Sequence, residues 1–106
     1  MIYTTTETIP GRDIIEIVGV VTGNVVQSKH IGRDIMAGFK SIVGGEIRGY
    51  TEMLTDARDV AIERLVASAA QKGADAIVGI RFTTSAIMEG ASEIMAFGTA
   101  VKLAPR

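Results

Sequence analysis

Three stretches of this chain are apolar on both alternations of an extended backbone, and a fold must find cover for both faces. Between Asp13 and Val26 the sequence reads DIIEIVGVVTGNVV, rich in β-branched residues and too often broken by glycine for a helix. The segment predicts a strand, bent or bulged near Gly19 or Gly23. Ile14, Val18 and Val20 fall on one parity, and Ile15, Ile17 and Val21 on the other. Ala74 to Met88 and Glu93 to Leu103 predict two further strands, joined as a hairpin by the turn Glu89-Gly90-Ala91-Ser92. Here Val78, Ile80 and Phe82 oppose Ile77 and Gly79, while Met95, Phe97, Val101 and Leu103 oppose Ile94, Ala96 and Ala100. A strand with one wet face would alternate apolar and polar residues instead.

Between these strands the period changes. Ile31, Ile35, Phe39 and Ile42 recur at helical spacing and predict a helix over 31–43, stopped by Gly44-Gly45. Thr51 is placed to cap a long helix over 52–72. Glu52, Asp56 and Asp59 lie early and Lys72 late, which suits the helix dipole, and Gly73 is the stop. Its apolar face is Leu54, Ala57, Ala61, Ile62, Leu65, Val66 and Ala69, and so many alanines imply close backbone approach. At the N-terminus Ile2-Tyr3-Thr4-Thr5 is β-prone and Pro10-Gly11 is a break. The expected fold is α+β in two layers: an antiparallel sheet of three to four strands with helices on one face, residues 1–106 forming one domain.

A chain of 106 residues buries only about two-thirds of its unfolded surface. Charged residues make up 22%, against a usual share of about 25%, and mean hydropathy is positive. Apolar side chains are therefore left over once helices cover one sheet face. Each is worth about 1.5–3 kcal/mol when buried, so association with further copies is the simplest remedy, closed symmetry its usual outcome. The alternative is a three-layer monomer with its helices divided between the two faces.

Several classes of function are excluded by composition. Net charge is −1 with no basic tail, which removes the electrostatic footprint of a nucleic-acid binder. The absence of cysteine rules out disulfides, thiolate metal sites and cysteine catalysis. The N-terminus has no signal-peptide character and no segment approaches about 18 apolar residues, so a cytoplasmic protein without membrane contact is expected.

Arg58 is the first candidate site residue, because the helical wheel puts it among Leu54, Ala61, Ile62 and Leu65. A guanidinium there needs a partner or a polar cavity. Glu16 is the partner expected, and Arg81 is expected to join the same network or its counterpart in a neighbouring copy. Such a set either fixes register between copies, the preferred reading, or grips a carboxylate or phosphate. His30 is the single histidine and the candidate metal ligand, with no acidic partners at recognisable spacing. Ser41 and the glycines follow neither a nucleophile-elbow nor a phosphate-loop pattern, and no catalytic constellation emerges, so no enzymatic activity and no cofactor are expected.

Gly19-Val20-Val21-Thr22-Gly23, Gly44-Gly45, Tyr50, Ala57-Arg58, Ala61, Gly73-Ala74-Asp75-Ala76, Gly79, Arg81 and Gly98-Thr99-Ala100-Val101 run in order through almost the whole chain. In this the sequence resembles the YbjQ-like family of small bacterial proteins, often labelled heavy-metal-binding but without an established activity. The resemblance implies a dodecin-like subunit and a ring-shaped homo-oligomer, a pentamer. It transfers no ligand set: soft metals want thiolate or clustered thioether and imidazole donors, whereas Met36, Met53, Met88 and Met95 follow no methionine motif. The function expected is therefore a non-enzymatic oligomeric domain that binds a small ligand or partner in an inter-subunit cavity. The alternative is heavy-metal binding through His30 and acidic residues.

Overall fold

A computed structural model describes residues 1–28, 42–43 and 46–106. Most of the helix expected over 31–43, together with His30, Met36 and Ser41, lies outside the described residues. Its last two residues are not helical: β3 (Ile42–Val43) pairs antiparallel with β4 (Glu46–Ile47).

The main sheet has four strands: β1 (Ile2–Tyr3), β2 (Ile14–Ser28), β5 (Ala76–Met88) and β6 (Ala91–Leu103), in the order β1-β5-β6-β2. The hairpin β5–β6 turns at Glu89-Gly90, tighter than the expected four-residue turn, with Gly90 at φ 77°. The sheet is mixed rather than antiparallel, because β1 runs parallel to β5. Residues 4–13 then cross from the β5 edge to the β2 edge on the opposite side. That crossing pins itself to β5: the amide of Thr4 donates to Ile77 O, while those of Ile80 and Gly79 donate to Thr4 O and Thr6 O.

Helix α1 (Arg48–Gln71) is the helix among the described residues, 24 residues long and therefore about 36 Å. It begins before Thr51, which lies inside it, and its first turn holds no acidic residue. Tyr50 and Thr51 continue the turn that Arg48 opens, so the polar residue read as a cap is only a helical position. At the other end Lys72 falls beyond the last turn. Gly73 at φ 73° closes the helix: the amide of Ala74 donates to Ala69 O and that of Gly73 to Ala70 O, the paired pattern of a left-handed glycine stop.

The buried row of α1 is Ala57, Ala61, Leu65 and Ala69, spaced by four. Ala61, Leu65 and Ala69 of this row pack with Val21, Ala96, Ala100, Ile77 and Ile80, with Val18, Val25, Ile62 and Val66 at the margin. Gly23 is where the two layers meet most closely. A Cβ there would lie within contact distance of Ala61 O and Leu65 N and 3.0 Å from Arg64 C, all helix backbone. Gly23 is thus a contact point, and the irregularity of β2 lies earlier.

Register shifts fall between Ile14 and Glu16 and between Ile17 and Gly19. Each inserts a residue and flips the parity that follows. The faces of β2 therefore differ from simple alternation: Val18, Val21 and Val25 point to the helix, while Ile14, Ile17 and Val20 take the other side. That second face is partly covered by the chain itself. Ile9, from the crossing segment, packs with Ala76, Val78, Val101, Leu103 and Ile14 at one end. The dodecin-like ring expected from the sequence concerns several copies, and the fold of one subunit does not bear on it.

Candidate functional site

Beyond the Ile9 plug the sheet face away from α1 carries exposed residues. Matched registers set Val20 beside Thr99, Thr22 beside Phe97 and Arg81, Asn24 beside Met95 and Thr83, and Val26 beside Glu93 and Ser85. Ile17 is 73% exposed, Val20 71% and Val26 54%, while Met95 and Phe97 are half-buried. Threonine, serine and asparagine interrupt these apolar residues, so the surface is a mixed stripe rather than a continuous oily sheet. Asn24 Nδ2 donates to Glu93 Oε2 at 3.0 Å across the β2–β6 pair, fixing a polar point in its middle. Sequence reading missed this pair, and only the strand register could have brought the two residues together.

Arg58 is exposed, not embedded in the apolar stripe. The true stripe is the row of alanines with Leu65, one residue round the helix, so the guanidinium reaches solvent without a burial penalty. Glu16 is exposed and stands opposite Lys102 in the β2–β6 register. No hydrogen bond or ion pair joins Glu16 and Arg58 among the described residues.

Arg81 points to the sheet face opposite α1, since it pairs with Phe97 while neighbouring Ala96 belongs to the helix-facing core. Arg58 and Arg81 thus lie on different sides of the sheet within one subunit. Arg81 Nη1 donates to Thr5 O at 2.9 Å and to Ile80 O at 2.8 Å, tying the crossing segment to β5. Two further ties were not foreseen: Arg64 Nη1 donates to Asn24 O at 2.6 Å, clamping α1 over β2, and Asp75 Oδ2 accepts from the amide of Leu103 at 2.9 Å.

Open clefts among the described residues include two outside this stripe. One lies between α1 and β1, lined by Tyr3, Asp59, Ile62, Glu63 and Val66. The other, near the C-terminus, involves Arg12, Asp75 and Leu103. In the latter the polar groups already serve the fold, because Asp75 holds the Leu103 amide.

No group of three or more His, Cys, Asp or Glu side chains is placed to hold an ion among the described residues. Cysteine is absent and the one histidine, His30, lies outside the described residues. This donor set does not fit a soft metal.

Comparison with known proteins gives one consistent answer. A family described as "Putative heavy-metal-binding", YbjQ_1, matches residues 1–104. A UPF0145 protein of Shewanella frigidimarina is 94% identical over 105 residues, covering 99% of this chain and 98% of that one. UPF0145 proteins of Psychromonas ingrahamii and Thermotoga maritima are 86% and 62% identical over 103 residues, each covering 97% of this chain and 98% and 97% of their own. None of these names denotes an enzyme. A crystal structure of a protein of unknown function of the DUF74 family, from Pediococcus pentosaceus, superposes with a TM-score of 0.66 over 98% of both chains at 18% identity, a likeness of fold. No helix among the described residues is long and apolar enough to cross a membrane. The chain belongs to the YbjQ-like family of UPF0145 proteins.

Proposed function

We infer that the chain works as a non-enzymatic homo-oligomer, a closed ring of copies that holds a small ligand or partner in a cavity formed by assembly. The observation that carries this reading is the exposed stripe of Ile17, Val20 and Val26 on the face away from α1. A shape argument supports it. The subunit measures 53 × 29 × 17 Å with a radius of gyration of 17.0 Å, against about 13 Å for a self-contained domain of this length. A slab so thin has too little interior to shield both sheet faces, and stacking or ring closure restores the missing layer. The family resemblance implies five copies. The mixed character of the stripe suits a cavity that stays partly wet, with Asn24, Glu93 and the threonines able to hydrogen-bond a ligand.

The double variant Ile17→Thr/Val20→Thr tests this. Both side chains are solvent-exposed in the single subunit, so replacing them leaves its fold and far-UV circular dichroism intact. Native mass spectrometry of wild-type protein should give a single oligomer, with any retained ligand as added mass. The variant should dissociate at concentrations where the wild type holds together. A wild-type protein that sediments as a folded single subunit at micromolar concentration refutes the reading.

A further inference from the structure

Residues 4–12, which cross from the β5 edge to the β2 edge, form a strap with few ties to the sheet. All but Thr4, Ile9 and Arg12 are exposed. Its start is held by backbone bonds of Thr4 and Thr6 to Ile77, Gly79 and Ile80, and by Arg81 Nη1 on Thr5 O. Its far end has the long contact of Arg12 Nη2 with Ala104 O, 3.5 Å, beside the open cleft that Arg12 and Leu103 line. The bonds between lie within the strap: Thr6 Oγ1 donates to Thr8 O, and the amide of Arg12 to Ile9 O across Pro10-Gly11. With proline second and Gly11 third at φ 77°, this is the residue pattern of a type II turn, and it presents Ile9 to the sheet.

The plug and the main core are separate. Ile9 packs with Ala76, Val78, Val101, Leu103 and Ile14, whereas among the described residues the cluster under α1 draws none from the strap. The pairing of β5, β6 and β2 needs none of it either. A segment with one buried apolar side chain and mostly solvent-facing bonds opens at lower free energy than the layers beneath it. Its release also returns backbone entropy. We propose that residues 4–12 are a releasable strap, lifting as one unit between Tyr3 and Asp13 while the α1 layer stays folded, with Arg81 as its latch. Asp13 O keeps the Ala104 amide at 2.8 Å and so marks one hinge. Lifting uncovers the seat of Val78, Val101 and Leu103. Because Ile17 stands opposite Val101 in the strand register, this seat continues the exposed stripe, and the strap sets how far the apolar face extends. The unit lies within one subunit, so its failure leaves the assembly reading untouched.

The chain has no cysteine, so an introduced thiol reports on one cluster without background. Val101→Cys places it beneath the plug and Val21→Cys beneath α1, the two valines being 1% and 2% exposed. Under native conditions an aromatic disulfide reagent should modify the Val101→Cys protein at least about 100-fold faster than the Val21→Cys protein. The faster rate should stay nearly flat in sub-denaturing urea, because lifting the strap exposes little surface, while the slower one climbs steeply. Adding Arg81→Met should speed modification of the Val101→Cys protein about tenfold more. Equal rates that rise together with urea overturn the strap, since the seat then opens only with the whole fold. A rate unchanged by Arg81→Met overturns the latch. Residue-resolved hydrogen exchange of the wild type repeats the test without substitution: the Gly79 and Ile80 amides should share one opening insensitive to low urea, unlike the Leu65 amide within α1. If Val101→Cys does not fold, that exchange decides alone, and Gly79 and Ile80 amides that exchange only through global unfolding refute the strap.

Discussion

Substituting Gly23 by alanine probes the layer contact on which the fold depends. The added methyl would meet Ala61 O and Leu65 N inside van der Waals range, with Arg64 C at 3.0 Å. All three are helix backbone, so no side-chain rotation relieves the clash. Ordinary carbon–oxygen contact begins near 3.3 Å, so α1 must withdraw from β2 by about 1 Å. A gap of that size forfeits a quarter to a half of the dispersion energy along the row Ala57, Ala61, Leu65 and Ala69. Overpacking usually costs about 1–3 kcal/mol, and a rigid backbone target puts this site near 3. For a domain of this size that lowers Tm by about 12–24 °C. The assay is thermal unfolding followed by circular dichroism, at one fixed protein concentration because assembly also shifts Tm. Lys72→Ala, exposed just beyond α1 and away from the open sheet face, is the control and should stay within about 0.5 kcal/mol of wild type. A Gly23→Ala protein that melts within about 2 °C of wild type refutes the backbone contact.

Two further outcomes follow from individual hydrogen bonds. Arg81→Met removes both carbonyl contacts of its guanidinium and should cost about 1–2 kcal/mol; the sign to look for is faster exchange of the Gly79 and Ile80 amides, which donate to the crossing segment. Gln27 Oε1 is buried without a hydrogen-bond partner, so Gln27→Leu should leave stability unchanged or raise it by about 1 kcal/mol, and a clear loss in chemical denaturation would show that this oxygen is satisfied in solution.

Much of the secondary structure was legible because it is written locally. The β-branched content of Asp13–Val26 and the two later apolar stretches joined by a turn gave β2, β5 and β6 to within two residues. The alanine-rich row and Gly73 gave α1 and its stop. Two local readings failed for definite reasons. Thr51 looked like a cap because capping residues also occur inside helices, and only the backbone path says which. The bulge beside Gly19 was legible from the glycine, but the parity of β2 was counted straight through it, and the second shift, between Ile14 and Glu16, has no glycine to mark it. The site residues were less legible. Arg58 looked buried on a wheel that treated all apolar positions alike, whereas the buried row is one narrow line of alanines and Leu65.

The sequence by itself determined the element types, the surplus of apolar strand residues and the absence of thiol donors, since each depends on residue identity and near-neighbour spacing. The tertiary structure decided what lies between those elements. It set β1 parallel to β5, sent Ile9 across to plug one end of the open face, and directed Arg81 onto the backbone of Thr5. It also brought Gly23 against the helix backbone. These are contacts between segments distant in sequence, fixed by how layers close on each other, and no local pattern encodes them.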